Sequence, residues 1–523
     1  MKLKDKLANR FGYLTKDQYK ADLNKVRAKT IHDLTRTINM AKVDRLTNDW
    51  LTQAKTLNAD LRSSLSTMIA RARDIATNDP YAKKFIRLVS KNLIGPDGFT
   101  LRNKAGDYRD GKFTLDKLAN RIIQDAWWEW GKPQFATVTG NTSFREFCRM
   151  AAQSCAIDGE VFIRILKGKN VNDYGITLQL IEADYVDEKM NYVLDNGNFI
   201  MMGIEVTPYR KPIAYHFKKV ILDRELYTSR TAYEYERVPA DQVIHLFYRE
   251  MPSQVRGLTW LAPSAIRLKM LMGYEEAALI NARASADKHM VVQRKDSMSG
   301  EFTGQDKDAD GNVVQDLEPG EVYQLPFGWE MASWDPKYPD AQHDAFAKIN
   351  LMGISSGLDV SYHSLSSNVS DVNYTSSRTA LLDERDTWKT MQAWFIETFV
   401  APVFTQWLDM SMLTEMINLP YTKFEKFNQP FFYGRRWDWV DPQNEVQANI
   451  LAHDNLHKPL AVILAERGMD LEETLEEFQL EKELLAKYDV QIVKKESAQQ
   501  KPSNGNGKSN GKAKEYHLNG ARL

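Results

Sequence analysis

The chain has 523 residues, 43% hydrophobic, 27% charged and 11% aromatic, the make-up of a globular protein with a large core and about two to four structural units. Its formal net charge of −1 excludes a global field drawing it onto nucleic acid or membrane, so any DNA contact must come from local or ring-arranged groups. With two cysteines, no apolar leader in MKLKDKLANRFGYL and no uncharged stretch long enough to span a bilayer, the expectation is a soluble, unsecreted chain of a reducing compartment.

In chain order, residues 16–60 read as charged helix. Apolar spacing of three and four across residues 60–95 predicts two helices broken at Asn78–Pro80. IIQDAWWEW and FREFCRMAAQSCAI predict two more. Cys148 and Cys155 fall seven apart on one face of the second, as small buried residues rather than metal or redox groups. Trp127, Trp128 and Trp130 read as core anchors rather than base-stacking groups. The period then changes to two: EVFIRIL, ITLQLIE, GNFIMMGIEV, PIAYHF and QVIHLFY predict strands separated by Asn, Asp, Gly and Pro turns. Helix returns over residues 258–288, roughly 45 Å if continuous, with Pro263 near its start.

Residues 289–336 read as strands and turns rich in Asp and Gly, and a helix near 340–356 follows. SYHSLSSNVSDVNYTSSR, residues 361–378, then interrupts the helical pattern with hydroxyls and amides. A loop this long inside a compact domain is functional or disordered. The next helix, about 376–410, contains Pro402, which predicts a kink or break near 398–402. A β-like patch, FEKFNQPFFYGRRWDWV, leads to two short helices with an acidic face. From about Lys494 the composition cannot bury enough apolar surface to order itself.

Three motifs suggest chemistry and fail on context. GISSG, residues 353–357, matches a nucleophile elbow at Ser355, but that motif needs a strand before the serine. The spacing here is helical, so a helix end capped by Gly357 is the stronger reading and a serine hydrolase the alternative. DKDADG, residues 306–311, opens like a calcium loop, but position twelve is Leu317 instead of a carboxylate, so a surface hairpin turn is expected. GKS at 507–509 lacks the preceding glycine and strand of a phosphate loop. The histidines, His453 and His457 included, make no ligand-spaced cluster. No metal, cofactor or catalytic constellation is expected.

Several ordered segments resemble the portal proteins of tailed bacteriophages, specifically the lambda-type family. They are LVSKNLIGPDGFTLR, DGEVFIRI, LQLIEADYVD, VRGLTWLAPSAIRLKMLMGYEEAALINARASADK, LDVSYHSLSSNVSDVNYTSSRTALLDE, RRWDWVDPQNEVQA and ERGMDLEE. The resemblance spans about residues 60–490 and implies an α+β portal fold. After an N-terminal helical extension (1–60), it implies a mixed wing (61–255), a first stem helix (256–288), a strand-containing clip (289–336) and a second stem helix (337–357). A tunnel loop (358–376), a long kinked wing helix (377–410), wing strands (411–440), a helical crown (441–493) and a disordered tail (494–523) would follow.

The family further implies a self-assembled, non-enzymatic ring, usually of twelve, at one capsid vertex. Double-stranded DNA is packaged and ejected through it. Its other implied partners are the terminase large subunit, major capsid and scaffolding proteins, and head-completion or adaptor proteins; no membrane is involved. The implied location is the virion, with host cytoplasm during assembly. A ring multiplies every loop charge about twelvefold, so a basic loop would trap sliding DNA, whereas hydroxyls and amides touch phosphates without releasing counterions. Ser361, His363, Ser364, Ser366, Ser367, Asn368, Ser370 and Asn373 would line the channel, and Asp371 would discourage sticking. Arg378 would brace the helix start against a neighbouring subunit or face DNA. A monomeric DNA-binding adaptor is a further alternative, poorly served by the near-neutral charge.

Overall fold

The computed structural model describes residues 20–22, 24, 25, 45, 54–109, 111–219, 234–286, 291–294, 306, 307, 313, 314, 329–332, 343–370, 374–437, 442–466, 469 and 471–488. Most of the N-terminal extension, much of the clip segment, Asp371, Asn373 and the tail lie outside the described residues. The chain is α+β and divides into Met1–Arg435 and Arg436–Leu523, so the second unit begins before the crown boundary read from sequence.

Helix α1 (Leu57–Asn78) buries Leu61, Leu65, Ile69, Ala72 and Ile75, a stripe at helical spacing. It stops where Asp79 turns extended. The Asp79 carboxylate accepts the Ala82 N–H at 2.7 Å and Pro80 takes the first position of α2 (Pro80–Val89), where its missing donor costs nothing. Strand β1 (Thr100–Asn103) and the hairpin of β2 (Gly106–Arg109) and β3 (Lys112–Leu115) follow, then α3 (Lys117–Trp130) and α4 (Phe144–Asp158). Cys148 and Cys155 are free and buried in α4, and burial pushes both thiols up.

The alternating segment forms two antiparallel sheets. Strand β4 (Glu160–Lys167) lies at the centre of one, between β5 (Ile176–Ile181) and the strand Val243–Phe247. The other is a five-stranded meander of β6 (Tyr192–Val193), β7 (Phe199–Met201), β8 (Ile204–Val206), β9 (Pro212–Lys218) and β10 (Tyr235–Pro239). GNFIMMGIEV, read as one strand, is two. Met202 and Gly203 both take positive φ, the turn that reverses a tight hairpin. Strand β11 (Val243–Phe247) closes the first sheet.

Helix α5 (Ala265–Ala286) starts nine residues later than the expected 256. Residues 259–264 make three-residue turns, Ala262 N–H to Thr259 O and Ser264 N–H to Leu261 O, and Pro263 has no N–H to extend the helix backward. Within 289–336, β12 (Val291–Arg294) pairs with Trp329–Ala332, and β13 (Asp306–Lys307), the first two residues of the calcium-like motif, with β14 (Val313–Val314); the rest of the motif lies outside the described residues. After β15 (Trp329–Ala332) comes α6 (His343–Gly357). The expected 358–376 loop holds a short helix, α7 (Tyr362–Ser366), and the first residues of α8 (Tyr374–Phe395). A π-helical turn, Ile396–Val400, joins α8 to α9 (Ala401–Leu413), which runs past residue 410 into the expected wing strands. Of 411–440, only β16 (Pro430–Tyr433) is strand among the described residues, and it pairs antiparallel with β1.

An aromatic cluster ties α3, α4 and α9 together. The Trp127 ring centroid lies 5.0 Å from Trp407, 5.5 Å from Phe404 and 5.2 Å from Phe144. Each pair contributes about 0.5–1.5 kcal/mol beyond area burial. Trp130 is fully buried, but Trp128, expected with them, is 74% exposed because it projects from the opposite side of α3. In the second unit, α10 (Pro442–Asp454), α11 (Leu460–Glu466) and α12 (Leu471–Lys487) follow in order. Leu480 and Leu484 are exposed along α12, and Tyr488 directly after it. Among the described residues no helix is long and apolar enough to cross a membrane.

Candidate functional site

The approach to α5 is fixed by a buried ionic network. Glu160, on β4, accepts Arg256 Nε at 2.6 Å, the Gly257 N–H at 2.8 Å and His245 Nε2 at 2.9 Å. Arg256 spends its remaining donors on the Met202, Val186 and Ala183 carbonyls. Burial alone would raise the Glu160 pKa, but Arg256 and His245 hold the carboxyl at about 2. Burial pushes His245 below its ordinary value, so the neutral ring donates its Nε2–H. A side chain at Gly257 would collide with the Gly159 backbone, so only glycine lets the two segments approach this closely.

Helices α5 and α6 pack together. Ser264 Oγ donates to the Ile354 carbonyl at 2.9 Å, and Tyr274 lies 5.3 Å from the His343 ring and 4.9 Å from Phe346. Helix α5 buries Leu268, Leu271 and Ala278. Its opposite side carries a second stripe, Ile266, Met270, Gly273, Ala277 and Ile280, spaced four, three, four and three, all exposed. Ile266 is 72% and Met270 70% exposed. Helix α6 exposes a similar row, Ala345, Ile349, Met352 and Ser356.

Ser355 lies inside α6 with no strand before it, and its hydroxyl donates to the Met352 carbonyl at 2.9 Å. His363 lines the same cleft of about 380 Å³, but its Nδ1 turns to the Asn368 carbonyl at 2.8 Å. The strained elbow and nucleophile–base bond of a serine hydrolase are therefore not built here. Gly357 is not the cap. Asp359 takes the left-handed position with φ +54, Val360 N–H bonds Ser355 O and Asp359 N–H bonds Ser356 O, a Schellman ending two residues later. Gly357 is needed for another reason: a Cβ there would run into Ser264 Oγ.

The polar residues after it are folded onto α8. Ser361 caps α7, its Oγ accepting the Ser364 N–H at 3.2 Å. Ser364 Oγ donates to Glu384 Oε2 at 2.6 Å, and the Ser361 N–H reaches the same oxygen at 3.2 Å. Trp388 Nε1–H donates to Glu384 Oε1 at 3.1 Å. Ser366 Oγ donates to the Tyr362 carbonyl, and Ser367, with φ +60, receives the Lys84 ammonium at 3.2 Å. Asn368 Oδ1 accepts both the N–H and the hydroxyl of Ser370. Leu365 is buried beneath.

The structure thus brings Ser361, His363, Ser364, Ser366, Ser367, Asn368 and Ser370 into one compact segment. Arg378 is elsewhere, five residues into α8, half-buried and engaged within the chain. Pro402 stands at the start of α9, directly after the π turn. Sequence reasoning missed Glu384, Trp388 and Lys84. The available signal was the i, i+4 spacing of Glu384 and Trp388, opposite a serine-rich cap. Among the described residues no group of side chains could hold a metal ion.

Among solved structures, chains in the neck of a gene transfer agent particle resemble this one. One comes from an empty particle treated with C6 symmetry and covers 78% of this chain and 93% of its own, at 11% identity and a TM-score of 0.40. The other, from a native particle treated with C12 symmetry, covers 77% and 92%, at 10% identity and a TM-score of 0.39. In sequence, a "Probable portal protein" of Halomonas phage phiHAP-1 is 33% identical over 443 residues, 84% of each chain. The profile of the phage portal protein, lambda family, matches residues 43–392. By that span and that identity the chain belongs to the lambda family of phage portal proteins.

Proposed function

We propose that this portal protein acts as a homo-oligomeric ring, a dodecamer, at one capsid vertex of the virion. Double-stranded DNA passes through its bore without sequence readout, residues 361–370 line the constriction, and the segment 289–336 offers the docking site for terminase and head-completion proteins. The subunit supplies no catalysis; force comes from an external ATPase. Assembly takes place in the host cytoplasm with capsid and scaffolding proteins. The observation that carries the reading is the second apolar stripe on α5, opposite the one it buries, matched by the row on α6. Contiguous exposed apolar surface at coiled-coil spacing marks a helix awaiting a neighbour.

Helix packing sets the bore. Neighbours at about 8–10 Å, slightly splayed, give a ring of twelve a circumference of roughly 120 Å, an axis circle of about 38 Å and an opening on the order of 28 Å. A duplex fits, and the polar, nearly uncharged segment lets it slide. Native mass with negative-stain imaging of the same peak tests this. The expected species is about 720 kDa, twelve copies of the 60.1 kDa chain, with a central hole. A subunit that stays monomeric in the presence of capsid and scaffolding partners overturns it.

A further inference from the structure

We propose that Glu384 is the positioning residue of the channel segment, a single buried carboxylate on α8 that sets where residues 360–367 stand. The inference rests on the reading that this segment faces DNA. Glu384 is only 7% exposed, and three donors converge on it: the Ser361 N–H and Ser364 hydroxyl on one oxygen, the Trp388 indole N–H on the other. A carboxylate accepts and cannot donate, so it satisfies all three at once. Ser361 Oγ donates in turn to Ser364 Oγ at 2.9 Å, making a relay from the start of α7 to α8.

The backbone on either side marks the limits of the held unit. Asp359 and Ser367 both adopt left-handed φ, +54 and +60, although neither is glycine. Such conformations persist only where the surroundings over-determine them, and they concentrate at switch and clamp segments. Between them the chain makes one turn of helix, buries Leu365 and returns. With the carboxylate gone, the buried Trp388 indole, the Ser364 hydroxyl and the Ser361 N–H lose their common acceptor, and with it this tie between α7 and α8. Glutamine keeps an acceptor for Ser361 and Ser364 but must aim its amide donor at the Trp388 N–H, so it holds the segment only in part.

The test compares assembled rings of wild type, Glu384→Gln, Glu384→Ala and Ser364→Ala by amide hydrogen exchange, and measures DNA retained in heads built with each. For Glu384→Ala, protection across residues 360–370 is expected to fall by at least about tenfold, with α5, α6 and the rest of α8 and the ring mass unchanged, and heads retain less DNA. Glu384→Gln and Ser364→Ala fall between. Unchanged protection at 360–370 in Glu384→Ala overturns the proposal. So does equal loosening of α5 and α6, since that marks a general structural role. Should Glu384→Ala fail to assemble, Glu384→Gln and Ser364→Ala decide by the same readouts. A loosened segment with normal DNA retention leaves Glu384 as the anchor and overturns the DNA-facing reading instead.

Discussion

Glu160 carries an electrostatic load that its surroundings make pH-sensitive in one direction. In the folded chain its carboxyl titrates at about 2 against an ordinary 4.5, so folding favours the ionised form. Its contribution is complete above about 4.5 and is lost as pH falls toward 2. His245, held below its ordinary 6.5 by burial, acts in the same sense, because acidification charges it more readily in the unfolded chain. Replacing Glu160 by Gln leaves the Arg256 guanidinium uncompensated in the core, which costs about 3–5 kcal/mol. Measured by chemical denaturation, Glu160→Gln is expected to trail wild type by that amount at pH 7. The gap should then narrow as pH falls from 4.5 toward 2, because the unfolded wild-type chain takes up a proton that the folded carboxylate accepts only near the bottom of that range. A gap that stays constant would mean the site owes its stability to packing and hydrogen bonds, not charge.

The break between α8 and α9 poses the question of cause for a whole element. Phe395, Phe399, Val403 and Trp407 are all buried and all four apart. Every fourth residue of an α-helix overshoots a full turn by about 40°, so this row would drift off the core within three steps. The wider turn at Ile396–Val400, closed by the Ala401 N–H on Ile396 O, takes up the surplus. Pro402 sits where a donor would otherwise be required, but by this argument it accommodates the turn and the aromatic register imposes it. Pro402→Ala is therefore expected to change stability by less than about 1 kcal/mol, whereas a proline forcing the break would give back about 3 kcal/mol on removal. Deleting the exposed Thr398 leaves the row spaced three, four and four, which an ordinary α-helix keeps within about 60° of one face, so the wide turn should close with Phe404 and Trp407 still in the core and the chain still folded. Thermal unfolding of the two variants separates these causes.

Much at this level was legible because the signals are local. Asp79–Pro80 stops one helix and starts the next, and the strands read at β4, β5 and β9 are present in the fold. What escaped depended on partners far along the chain. The pairing of β1 with β16 spans more than 300 residues, and the reversal at Met202–Gly203 hides inside an unbroken apolar alternation. The candidate site divides in the same way. Its hydroxyls and amides were visible as composition, but their fold onto α8 depends on Glu384, an acid that reads as solvated on any helical face until the segment opposite it is placed.

For the whole molecule the decisive surface is the outer side of α5, and Gly273 at its middle separates the needs of the subunit from those of the ring. A side chain there meets nothing within the subunit. Glycine in a helix interior costs about 0.8–1.0 kcal/mol relative to alanine, so Gly273→Leu should stabilise the dilute subunit by roughly 0.5–1 kcal/mol. In the proposed ring the same position would lie against the neighbouring helix, and Gly273 with Ala277, both exposed, would form a small-residue patch allowing close approach between Met270 and Ile280. A leucine there forces the axes apart by more than packing at about 8–10 Å tolerates, and twelve such displacements cannot close the same circle. The expected result is a subunit that melts later than wild type and no longer appears near 720 kDa, twelve times its 60.1 kDa mass. If Gly273→Leu assembles to the wild-type mass with the same central hole, the outer stripe of α5 is not the contact between subunits, and the ring must close through another face.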